Sequence, residues 1–133
     1  MTKTSENSNF IKACRLEPVD QTPVWFMRQA GRYMPEYRKI REKHTLLEIV
    51  RQPELAAEVT LQPIKAFGMD AAILFADILL VLQPMGVDFE FVPGKGPLIQ
   101  NPVRTAEDVA ALKPVEAEAS LGHVMEAIRL LRG

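Results

Sequence analysis

The residues best equipped for chemistry stand together in Arg28-Gln29-Ala30-Gly31-Arg32-Tyr33, where two arginines flank a glycine. A guanidinium group keeps its charge at any physiological pH and makes two parallel, charge-assisted hydrogen bonds to a carboxylate. Two such groups in one loop imply an anionic ligand. Gly31 permits a turn or a close approach that a side chain would forbid. The alternative is a surface loop whose arginines pair with Glu36 or Glu48, and spacing alone leaves both readings open. Asp77 is the second candidate, because it interrupts the apolar stretch 71–82 with no neighbouring charge. A lone carboxylate there must be paired, protonated or placed at a strand end facing a cleft, and perturbed acids of that kind gather at functional sites. A structural ion pair with an arginine explains it as well. With Arg28 or Arg32 as the partner, the two readings merge into one site of two cations and one acid.

Other motifs carry less. Pro93-Gly94-Lys95-Gly96-Pro97 lacks the spacing of a phosphate-binding loop and follows a half-exposed strand pattern, so it reads as a hairpin turn. Cys14 reads as a core residue, and Trp25 and the phenylalanines as packing residues. His44 reads as solvated and His123 as partly buried in the last helix, neither with a second ligand at metal spacing.

Hydropathy patterning supplies the elements that must position these residues. Residues 23–27 form a compact apolar run that suits a buried strand, and residues 70–82 are apolar on both alternations, as a parallel strand covered on both faces would be. Helices are expected at 10–16, at 35–43 with Pro35 in the first position, and at 46–50. Another runs from Pro53 to a stop at Gly68, with Leu55, Val59 and Ala66 on one face and a kink or restart at Pro63. Val87, Phe89 and Phe91 alternate with Asp88 and Glu90 as one arm of a surface hairpin, and Leu98-Ile99 can return as the other. Thr105 and Asp108 approximate a capping box for a short helix ending at Lys113, and 115–132 reads as a last helix with Leu121, Met125, Ile128 and Arg129 close to one face. Two buried strands joined by helical sequence point to an α/β architecture. In such a fold the loop after a strand lies on the face where active sites are built, which is where both arginines fall.

Composition narrows the function classes. The 133 residues are 47% apolar and 25% charged, the profile of one globular domain. With 16 Lys+Arg against 17 Asp+Glu, the chain lacks the basic excess on which non-specific nucleic-acid binding rests. A single cysteine excludes an internal disulfide and fits a reducing compartment. Residues 1–9 read as a polar tail without a secretory apolar run, and 71–82 is too short to cross a bilayer. A cytoplasmic protein without nucleic-acid, membrane or metal partners is expected.

The run from Thr22 to Tyr37, TPVWFMRQAGRYMPEY, closely resembles the N-terminal signature of the uroporphyrinogen decarboxylase family. Leu61-Gln62-Pro63, residues 70–79 (DAAILFADIL) and Val92-Pro93-Gly94-Lys95-Gly96-Pro97 occur in the same order in that family. The resemblance runs from about Phe10 to the last residue. It implies a single-domain (β/α)8 TIM barrel, of which residues 10–133 are the N-terminal portion, incomplete in this chain. It also implies an activity: decarboxylation of the four acetate side chains of uroporphyrinogen III to give coproporphyrinogen III on the route to haem, with no cofactor. Arg28 and Arg32 would bind substrate carboxylates, with Gln29, Ala30 and Gly31 forming the connecting loop around the substrate and Arg41 a weaker contact. Asp77 would lie beneath the macrocycle, hydrogen-bond the pyrrole N–H groups and stabilise positive charge as a ring is protonated. Family members are commonly homodimers.

Length is where the chain departs from the family, since a complete barrel takes about 250 residues. An incomplete sequence or a truncated gene is expected, and the isolated chain is expected to fold poorly or aggregate, because two apolar parallel strands keep unpaired edges and uncovered faces. An inactive product that only binds anionic porphyrins or a full-length relative is the alternative function. The corrinoid-linked methyltransferases, which share the fold, are a third reading, and the paired arginines and the Pro-Glu-Tyr ending of the signature argue against it.

Overall fold

A computed structural model describes residues 8–27 and 29–133. Its helices arise from local chemistry. Ser8 caps α1 (Asn9–Cys14) by accepting the Ile11 amide at 3.2 Å. In α2 (Pro35–Arg41), proline and Glu36 occupy the first turn and Arg38, Lys39 and Arg41 the last, which complements the helix dipole. A full capping box opens α3 (Leu46–Arg51): the Thr45 hydroxyl accepts the Glu48 amide at 3.2 Å, and the Glu48 carboxylate accepts the Thr45 amide at 2.6 Å. Next, α4 (Pro53–Phe67) stops at Gly68, whose φ of 63° is the left-handed cap, as expected. Of the kink or restart expected at Pro63, the restart does not occur. The helix runs through that position, and burial of the proline ring in the core offsets the one amide bond it forgoes.

Met34, Tyr37, Ile49 and Val59 form the core cluster, with Ala30, Ile40, Leu55 and Phe75 packed against it. Tyr37 and Phe75 meet edge to face with ring centroids 5.5 Å apart, an arrangement that suits the aromatic quadrupole.

The sheet among the described residues is one antiparallel hairpin, β1 (Phe89–Val92) and β2 (Gly96–Ile99), pairing Phe89 with Ile99 and Val92 with Gly96. Val87 and Phe89 are buried while Asp88 and Glu90 are exposed, the alternation read from the sequence. The capping box of α5 (Ala106–Ala110) is complete, with Thr105 and Asp108 bonded reciprocally, although the helix ends before Lys113. Finally, α6 (Ala117–Arg132) lies against α4 and α3. It departs from helical geometry at Leu121 (φ −121°, ψ 23°), which changes the phase of the remaining turns. Ala127 is therefore its buried residue, and Ile128, expected on the inner face, is exposed.

The two expected buried parallel strands are absent among the described residues. Residues 23–27 and 70–76 join instead through a reciprocal pair: the Asp70 amide donates to the Val24 carbonyl at 3.0 Å, and the Val24 amide donates to the Asp70 carboxylate at 2.8 Å. Beyond that, side chains stand in for a neighbouring strand. The Gln29 carboxamide donates to the Ala71 carbonyl and accepts the Ile73 amide, both at 2.7 Å, and the Thr60 hydroxyl accepts the Phe75 amide at 2.8 Å. Positions 71, 73 and 75 share one edge of an extended chain, and that edge is filled by side chains. The segment then ends in a 3-10 turn, Ile78–Val81.

Burial on both faces is also absent. Phe26 is 58%, Met27 77% and Ile78 90% exposed, and Trp25 is exposed as well. The packing role holds for Phe75 and Phe89 and fails for Trp25 and Phe26. Cys14 is exposed rather than core, because α1 buries none of its residues. The chain is thus a mixed α/β structure of helices and one small sheet, and none of its described helices is long and apolar enough to cross a membrane.

Candidate active site

Within the cluster 28–33 the side chains divide by role, and Arg28 lies outside the described residues. Gln29 is only 3% exposed, and its carboxamide is committed to residues 71 and 73. Its carbonyl accepts the Tyr33 hydroxyl. Ala30 packs against the core. A Cβ on Gly31 would stand 3.2 Å from Tyr33 Cε1, so the glycine admits the tyrosine ring against the turn. The Met34 amide closes that turn on the Gly31 carbonyl at 2.9 Å.

Arg32 is exposed, and with Arg41 from the end of α2 and Lys95 from the hairpin turn it lines a cavity of about 640 Å³. Leu46, Phe91 and Pro93 complete part of its wall. A second cavity of about 390 Å³ shares Arg32 and Arg41 and adds Tyr37, Arg38 and Glu42. Arg41 is steadied by donating from Nη1 to the His44 carbonyl at 2.9 Å, and Arg38 donates to the Arg32 carbonyl at 3.0 Å. Burial pushes the Tyr37 phenol above its ordinary pKa, against the downward pull of Arg41 and then Arg32, which places both guanidinium charges near this core residue.

No acidic side chain among the described residues pairs with Arg32, Arg41 or Lys95, and the ion pair present joins Arg129 to Glu126 in α6. Pairing of Arg32 with Glu36 or Glu48 is therefore not what the structure shows. Glu48 serves the Thr45 cap, whose backbone amide holds the Glu48 carboxyl below the usual range.

Asp77 is half-buried and caps the 3-10 turn, its Oδ1 accepting the Leu79 amide at 2.8 Å. Among the described residues its Oδ2 accepts no hydrogen bond and no arginine pairs with it. The merged site of two cations and one acid is not assembled by direct contact there. A separate, smaller cavity of about 170 Å³ is lined by Met27, Gln29 and Ala30 on one side and by residues 73–76 on the other, and neither Arg32, Arg41 nor Asp77 lines it.

Three positions escaped sequence reasoning. Asp70 and Thr60 hold the segment that carries Asp77, and Lys95 shares the arginine cavity although its motif reads as a turn. The signals were present in an acid opening an apolar run, a hydroxyl on the buried face of a helix, and a lysine between two glycines.

Arg32, Arg41 and Lys95, without acidic partners among the described residues, line one cavity of a mixed α/β structure, a setting suited to anionic groups. Residues 5–133 match the model of the family "Uroporphyrinogen decarboxylase (URO-D)". A protein of Sorangium cellulosum named uroporphyrinogen decarboxylase is 61% identical over 126 residues, covering 95% of this chain and 36% of its own length. Proteins of the same name from a Roseiflexus species and from Carboxydothermus hydrogenoformans are 57% and 56% identical over 126 residues, with the same coverage. The chain belongs to the uroporphyrinogen decarboxylase family, and it spans about a third (36%) of the length of these curated relatives.

Proposed function

We propose that the chain serves the decarboxylation of uroporphyrinogen III to coproporphyrinogen III, as a carboxy-lyase of porphyrin and haem biosynthesis in the cytoplasm. The observation that supports this most is the convergence of Arg32 and Arg41 on one cavity without an acidic partner among the described residues. A substrate bearing eight carboxylates calls for such groups. In this reading Arg28 joins Arg32 in holding substrate carboxylates, Arg41 makes a weaker contact, and Gln29, Ala30 and Gly31 shape the turn around the substrate. Asp77 faces the pyrrole N–H groups with the carboxylate oxygen its turn leaves unbonded. Its negative charge stabilises the ring as the ring takes up a proton. The bond to the departing carboxylate then breaks, its electron pair passes into the electron-poor ring and carbon dioxide leaves. The exocyclic methylene so formed takes up a proton from solvent while the ring gives up the proton it had gained, which leaves a methyl group in place of the acetate.

Residues 10–133 form the N-terminal portion of one (β/α)8 barrel domain in this proposal, preceded by a tail of residues 1–9. The paired segments 23–27 and 70–76 take the places of its first two strands, and the assembled enzyme is a homodimer. The test is anaerobic incubation of the complete gene product with uroporphyrinogen, then chromatography of the porphyrins. Stepwise loss of four carboxyl groups is the expected result. Binding without product would instead establish the porphyrin-binding alternative.

A further inference from the structure

We propose that Lys95, in the turn between β1 and β2, is a third carboxylate-binding residue of the arginine cavity, and that the hairpin serves to present it there. The proposal rests on the decarboxylase reading and extends it to an element which that reading leaves without a role.

The whole turn, from Val92 through Gly96, lines the cavity together with Arg32 and Arg41. Its backbone is fixed from several directions. The Lys95 amide donates to the Val92 carbonyl at 3.1 Å, and Pro93 precedes Gly94 at φ 77°, as a type II turn requires. Gly96 comes next at φ 86°. A Cβ at either glycine would meet nothing within 4 Å, so the glycines are there for backbone conformation and not for want of room. They direct Lys95. At its base the hairpin is clamped by the Gln100 amide on the Asp88 carbonyl (2.9 Å), the Asp88 amide on Asn101 Oδ1 (2.8 Å), and Asn101 Nδ2 on the Gly86 carbonyl (2.9 Å). Phe89 and Val87 anchor it in buried positions.

Charge supports the same conclusion. Glu90, the acid within β1, accepts from Gln100 at 2.9 Å, and among the described residues no carboxylate neutralises Lys95. Three like charges around one cavity repel, and a bound polyanion turns that repulsion into attraction. The residue types also divide the task. A guanidinium fork suits a carboxylate in a fixed orientation, whereas an ammonium on a flexible four-carbon stem tracks a carboxylate whose position varies. Lys95 thereby takes an outlying carboxylate of a ligand with many of them, and favours ligands with more carboxylates over those with fewer.

The test uses the complete gene product as wild type, Lys95→Gln, Lys95→Arg and Lys65→Gln, the last altering an exposed lysine of α4 outside the cavity. Binding of benzenehexacarboxylate is read by calorimetry, and KM and kcat are read on uroporphyrinogen. Lys95→Gln should weaken binding about tenfold and raise KM by a similar factor while kcat stays within about twofold, and Lys95→Arg should recover most of the loss. Lys65→Gln should match the wild type. Wild-type binding by Lys95→Gln, or a Lys95→Arg variant as weak as Lys95→Gln, would overturn the proposal. Benzenehexacarboxylate binding that depends on Lys95 in a protein that releases no carbon dioxide would overturn the decarboxylase reading and uphold this one. Normal turnover with binding indifferent to Lys95 would do the reverse.

Discussion

One carboxamide, that of Gln29, supplies two hydrogen bonds that hold residues 71 and 73, and Thr60 and Asp70 supply the neighbouring ones. Gln29→Ala leaves a carbonyl and an amide unpaired in a part-buried place, which costs about 1–3 kcal/mol. Urea unfolding of the complete gene product should show a lower midpoint at unchanged slope, and an unmoved midpoint would contradict this role. The candidate residues were legible in unequal degree. Arg32 stood out because paired arginines about a glycine are a local pattern. The Gln29 contacts were invisible because they span more than 40 residues of sequence. The turn capped by Asp77 was readable in principle, since a short acid bonding the amide two residues on is local chemistry, but the apolar alternation around it dominated.

Among the elements, helix ends were the most legible, because proline, glycine and capping boxes act within a few residues. Thr45 and Glu48 carry that same box and passed unnoticed between two charged helices. The strands were misread for a different reason: an apolar run signals burial without naming the partner that completes its hydrogen bonds. The packing of α6 on α4 and α3 brings its own expectation. His123 Nε2 is buried without a hydrogen-bond partner among the described residues, and burial, then the charge of Arg51, holds the imidazole pKa below 6.5. Below that pH the unfolded chain binds the proton more readily than the folded one, so stability rises with pH. The contribution is complete above about 6.5 and is lost as pH falls through the folded value. Thermal unfolding of the complete gene product between about pH 7.5 and 5 should show a Tm that falls on acidification, with a shallower fall in His123→Phe. Equal slopes for the two proteins would contradict it.

Across the whole molecule, the apolar surface of the paired segments is its least satisfied feature, with Phe26, Met27 and Ile78 more than half exposed beside Trp25 and Ile73. Patches of that kind associate. The 133-residue chain on its own should sediment as oligomers or aggregate, whereas a monomer with a sharp, cooperative thermal transition would contradict that expectation. The mixed α/β character was legible at this scale, and the family match over residues 5–133 agrees with the signature at 22–37. The most direct measurement is Asp77→Asn in the complete gene product, with turnover of uroporphyrinogen and its dissociation constant determined side by side. The expected result is a fall in kcat of about 100-fold or more with binding changed only a few-fold, because the charge acts on the protonated ring more than on the resting substrate. Unchanged turnover, or binding lost in step with turnover, would contradict the role proposed for Asp77.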